Sequence, residues 1–200
     1  MGVPSWSAYD EGYLRAYQWA GALAGGAQLP QAATTVPLGP GEVANAVFAS
    51  VGLAGYFGEN TGYRPSFFLF GGPVGLAVTG AASLAHNASR KAEAQRAAIP
   101  SWHPLGTADI VVTNQRLVAS GNGQTASVSY AETGPLQMAV GAGGVPAVQF
   151  QAQGHPPLRL ESAWAAMLYV FVHYHVDGQA PGVPMPAGVL DRARAQGRIS

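Results

Sequence analysis

Residues 105–120 read LGTADIVVTNQRLVAS. Ile110 and Val112 alternate with Asp109 and Thr113, the period of two that marks a strand with one buried and one wet face. Asn114 breaks the run where a tight turn is needed, because Asn tolerates left-handed backbone there. Leu117 and Val118 then start a second strand. In this hairpin Arg116 is placed to bond across the turn. Contact with a ligand or partner is the other use open to it, which makes Arg116 a candidate site residue.

The same alternation continues downstream. Ala126, Val128 and Tyr130 alternate with Thr125, Ser127 and Ser129; Leu136, Met138 and Val140 alternate with Gln137 and Ala139; Val148 and Phe150 alternate with Gln149 and Gln151; Leu158 and Leu160 flank Arg159. Turn signals separate these runs, Gly121-Asn122-Gly123 and Gly134-Pro135 among them. Short strands at such spacing predict an antiparallel meander. A helix follows over 162–175, with Trp164, Met167, Leu168, Phe171 and Val172 on one face and Trp164 as its core anchor. Its opposite face holds Tyr169, Val170 and Tyr174 and is also apolar, so it needs a second cover. The candidates are the N-terminal helix, an Ala-rich helix or another subunit.

Upstream, residues 42–58 read as one or two strands, rich in Val, Phe and Tyr. Residues 66–85 carry no charge. An Ala-rich helix is expected over 74–97, stopping before Pro100. We expect it to pack through its small residues against the face of the 162–175 helix that holds Tyr169, Val170 and Tyr174. The alternative is a membrane span or surface-inserted helix, since twenty uncharged residues suffice for a span. Residues 1–24 read as a helical arm with Tyr9, Tyr13 and Tyr17 four apart, 25–41 as a charge-free linker, and 178–200 as a mobile tail.

The chain has 200 residues, only 10% of them charged, and a formal net charge of zero. That balance gives no reason to expect nucleic acid as a partner. With no cysteine, disulfides and thiolate metal sites are excluded. Residues 1–14 lack a cationic n-region, so a secretory signal is not expected and the reading is cytoplasmic, with membrane association as the alternative. The Arg, Ala and Gly bias fits a bacterial source.

Motifs for chemistry are sparse. His173 and His175 are two apart, which on a helix puts them on different faces, so no metal site is expected. Gly71 to Gly75 precedes a helix but lacks the Lys and Ser/Thr of a phosphate loop. There is no G-x-S-x-G elbow, and the carboxylates are scattered. The expectation is therefore no catalytic residues, no cofactor and no enzyme.

The order of strands followed by one amphipathic helix resembles the pleckstrin-homology (PH) superfold. The T-N-x-R-L segment at 113–117, the following SVSYAE at 127–132 and the closing LRLESAWAAMLYVFVHY resemble bacterial PH-like and GRAM-like domains, in particular actinobacterial proteins with an Ala/Gly-rich helix ahead of T-N-x-R-L. The resemblance implies an α+β, mainly β protein: a PH-like antiparallel barrel over 42–177, closed by its C-terminal helix, with a helical insertion at 66–98. Phosphoinositide-binding members place several Lys or Arg around the first hairpin, whereas residues 42–66 hold Arg64 alone. That activity does not carry over, and Arg64 stays a candidate contact only. The function expected is a non-catalytic intracellular interaction module, with a protein partner or self-association. The alternative is a membrane-associated protein held through 66–85.

Overall fold

The computed structural model describes residues 5–58 and 99–199. The expected insertion helix, the uncharged stretch 66–85 and Arg64 lie outside them.

The described chain is α+β and mainly β. Helix α1 spans Ala8–Ala24, seven strands follow, and helices α2 (Ala165–Asp177) and α3 (Val189–Ala195) come last. The strands are β1 (Ala44–Phe57), β2 (Ser101–Thr113), β3 (Arg116–Gly121), β4 (Gln124–Ser129), β5 (Gln137–Val140), β6 (Pro146–Phe150) and β7 (Leu158–Glu161). They form one antiparallel sheet in the order β4-β3-β2-β1-β7-β6-β5. β4 and β5 do not pair, so the expected barrel is not closed. Alternation fixes which face of a strand is buried; it does not specify whether the two outermost strands meet.

Local chemistry accounts for the hairpins. Asn122 and Gly123, at φ 50° and 74°, make the two-residue link between β3 and β4, where both central residues need positive φ. The β2–β3 turn works differently from expectation. Asn114 is not among the left-handed residues. Its backbone N–H donates to the Val43 carbonyl, and its side chain accepts from Val43 N–H and donates to Gly41. Thr113 Oγ1 accepts from the N–H groups of Gln115 and Arg116 and tightens the turn.

The core face carries Ile110, Val112, Leu117, Val128, Val148, Phe150, Leu158 and Leu160, all buried as their alternation implied. Ala126 and Met138 are half-buried, and Val140, which ends the edge strand β5, is 68% exposed. α2 packs on this face, and α1 packs on α2. Trp19 meets Phe171 edge-on at 5.5 Å, and Phe48 meets the same ring at 6.4 Å. α1 thus covers α2 on the side of Phe171. Phe171, 1% exposed, is the anchor of α2. Trp164 stands at the N-cap position of the helix and is only half-buried.

Two segments expected to be loose are built into the fold. The stretch read as a linker packs Leu29 against the main core, and its Val36 joins Ala44, Val111 and Val118 in a second buried cluster on the outer face of the sheet. The stretch read as a mobile tail forms α3, which buries Val189 and Ala193 and packs on α1.

Candidate functional site

Arg116 is a structural clamp. Its Nε and Nη2 donate to Glu42 Oε1 and Oε2 at 2.8 and 3.0 Å, its Nη1 to Ser127 Oγ at 3.3 Å, and Nη2 also to the Pro37 carbonyl at 3.2 Å. Ser127 lies on β4, so this bond spans the β3–β4 pair and not the β2–β3 turn across which it was expected. The main partner, Glu42, also accepts from Gly39 N–H and the Thr113 hydroxyl. The bond from Arg116 and the smaller ones from Gly39 and Thr113, set against burial, hold the Glu42 carboxyl at about 2. This cluster ties segment 36–42 to the β2–β3–β4 hairpins and uses both ends of the guanidinium.

The two histidines diverge as their spacing dictates. His173 Nδ1 lies 3.1 Å from Asp177. His175 stacks on Tyr130 at 5.5 Å and reaches Asn45 Oδ1 through Nε2 at 2.9 Å. Asn45 Nδ2 donates to the Pro30 carbonyl, which leaves Oδ1 as the acceptor and puts the ring proton on Nε2. Burial pushes the His175 pKa down, favouring that neutral ring. Among the described residues no group of three His, Cys, Asp or Glu could hold a metal ion. Nor is any described helix long and apolar enough to cross a membrane.

The feature with the makings of a binding site is a groove of about 410 Å³ between α1, α2 and the first half of β1. It is lined by Met167 and Phe171 of α2, by Trp164 at the N-cap of that helix and by Trp19 of α1. β1 lines it from Asn45 to Ala49. Trp164 and Met167 are half-buried here and Val47 is 43% exposed, so apolar surface remains open to solvent. Arg15 stands at the rim and is bonded to Glu11 at 2.7 Å. A second cleft, about 480 Å³, lies between Tyr9, Val140 and Pro186. It is crossed by the Asp10–Arg192 ion pair, which neutralises its charges internally.

Sequence reasoning missed the groove because three distant segments build it. Of its residues only Trp164, Met167 and Phe171 were singled out, as a core face, and the one available signal was a helix apolar all round with Trp164 at its start. Arg116 does not contribute to it. No protein-family model matches this chain, and neither a curated protein nor a solved structure matches it.

Proposed function

We propose that this chain is a non-catalytic interaction module of PH-like kind, its sheet left open, and that it binds a protein partner through the α1–β1–α2 groove. The observation that carries this reading is the composition of the groove: two tryptophans, a methionine and two phenylalanines around solvent-accessible apolar space. Aromatic residues and Met are enriched at protein interfaces, and Trp is the residue most often found to dominate their energy. Met adapts its shape to what it meets. The strands-then-helix order supports the PH-like part of the reading.

The test is site-specific crosslinking in the native host. A photoreactive residue at Ala49, exposed on the groove wall, should give one discrete adduct. The same residue at Gln124, on β4 at the other side of the sheet, should not. Equal labelling from both positions, or none from Ala49, would remove the groove as the interaction surface.

A further inference from the structure

The groove has a second property, which rests on the interaction reading and narrows the partner. Successive side chains of a strand point to opposite faces. A pocket over one face of a strand is therefore lined by alternate residues. This groove is lined by the unbroken run Asn45, Ala46, Val47, Phe48 and Ala49. It lies along the edge of β1.

That edge is open. β2 pairs with β1 from Ala44 to Phe57, whereas β7 covers the other side only at Gly52–Gly55. Nearer the start of β1, the one backbone bond on that side among the described residues runs from Ala32 N–H to the Ala44 carbonyl. Between these two points, alternate N–H and C=O groups of β1 face the groove with no strand beside them among the described residues. A bulge separates the open half from the covered half. The pairing with β2 shifts between Phe48 and Val51, and Ser50 takes φ 53°, with its N–H donating to Asp109 Oδ1 at 2.9 Å. Bulges of this kind bend and twist the strand that carries them.

The occupant must meet two demands together: hydrogen-bond the edge and fill the apolar space facing it. A docked helix fills the space but has already spent its backbone groups internally. An acyl chain has none to offer. An extended peptide does both, pairing through its backbone and turning alternate side chains into the pocket. We propose that residues 45–50 of β1 accept an extended segment of a partner protein as an added strand. Two apolar side chains of that segment, at positions i and i+2, enter between Trp164, Met167 and Trp19. Arg15, the charged residue of the lining, is already bonded to Glu11, so recognition is backbone-borne and apolar and depends little on salt.

The experiment selects a random dodecapeptide display library on the full chain and measures enriched peptides by calorimetry. The expected peptides share two apolar residues at i and i+2 and bind one to one. N-methylation of the amides between them should weaken binding at least tenfold, while methylation of flanking amides should not. Hydrogen exchange at the groove-facing amides of 45–50 should slow on binding. Ala49→Lys should weaken binding at least tenfold with its thermal midpoint unchanged. Enriched peptides with i, i+3, i+4 spacing, or binding that survives N-methylation, overturn strand addition but leave the groove as an interaction surface. So does self-association of the chain that Ala49→Lys abolishes. No enrichment, together with no crosslink from Ala49, removes both.

Discussion

Glu42 and Arg116 are unequal partners, because the carboxylate side chain is 2% exposed and the guanidinium 32%. Removing the cation strands a buried charge, whereas removing the anion leaves a cation that can turn to water. Arg116→Met should therefore cost about 3–5 kcal/mol, as for a broken buried pair, and Glu42→Gln distinctly less; denaturant unfolding of both variants checks the order. Equal costs would mean that the carboxylate is hydrated. The same pair sets an acid window. With its pKa lowered from 4.5 to about 2, Glu42 binds protons more readily when unfolded. Its contribution, on the order of 3 kcal/mol, is full above pH 4.5 and lost as pH falls toward 2. Stability of Glu42→Gln should accordingly fall less over that window. His175 acts at a higher pH. Its folded pKa lies below the ordinary 6.5 because of burial, so the unfolded chain takes up the proton first. Stability should decline as pH drops below about 6.5, and His175→Gln should flatten that decline. Arg116 was readable as a cation beside the turn, but its partner was not: Glu42 is 74 residues away, and no local pattern joins them.

At the scale of elements, the contact of α1 with α2 turns on one glycine. A Cβ on Gly12 would sit 2.1 Å from the Ala163 carbonyl oxygen, backbone that cannot swing aside, whereas a Cβ on Gly21 of the same helix meets nothing within 4 Å. Gly21→Ala should stabilise by up to about 1 kcal/mol through helix propensity. Gly12→Ala should destabilise despite that same gain, because it drives α1 off the start of α2. Thermal unfolding of the two variants separates close packing from propensity, and shifts of the same sign would contradict the contact. Within α2, Phe171→Ala should cost about 3–5 kcal/mol, and Trp164→Ala less, since Trp164 keeps one side in the groove. The helix itself was plain in the sequence from its spacing. Its anchor was not, because an i, i+3, i+4 pattern identifies a face without saying how deep each end lies. Strand alternation likewise identified the inward residues from Ile110 to Leu160. It missed that Val111 and Val118 on the outer face are covered too, because their cover, residue Val36, sits in a stretch without periodicity or charge.

For the whole molecule, the sheet stays open where a barrel was expected, and the two ends of the described chain meet instead. Closure needs pairing between strands far apart in sequence, which alternation within each strand does not encode. The packing of α3 was invisible for a related reason: seven residues with two buried side chains carry too little pattern to stand out from a Pro- and Gly-rich stretch. Yet the contacts are specific. Arg192 pairs with Asp10, which caps α1 together with Ser7. Arg198 reaches Glu11 at 2.7 Å and lies over the Trp6 ring at 4.4 Å. Val189 and Ala193 are 1% and 0% exposed. A chain ending at residue 185 loses all of these. Burial of one Val side chain and a partly buried ion pair together amount to about 2–3 kcal/mol, which for a chain of this size lowers the thermal midpoint by roughly 5–10 °C. The loss should be local in origin. Hydrogen exchange should quicken in the first turns of α1, where Asp10 loses its cation and Glu11 keeps only Arg15, and stay unchanged in β2 and β3. Arg192→Met should reproduce part of the shift while leaving the Ser7–Asp10 cap in place. If the truncated chain kept its midpoint and its α1 amides their protection, α3 would be resting on the fold without holding it. The Phe171 anchor would then have to secure α1 alone.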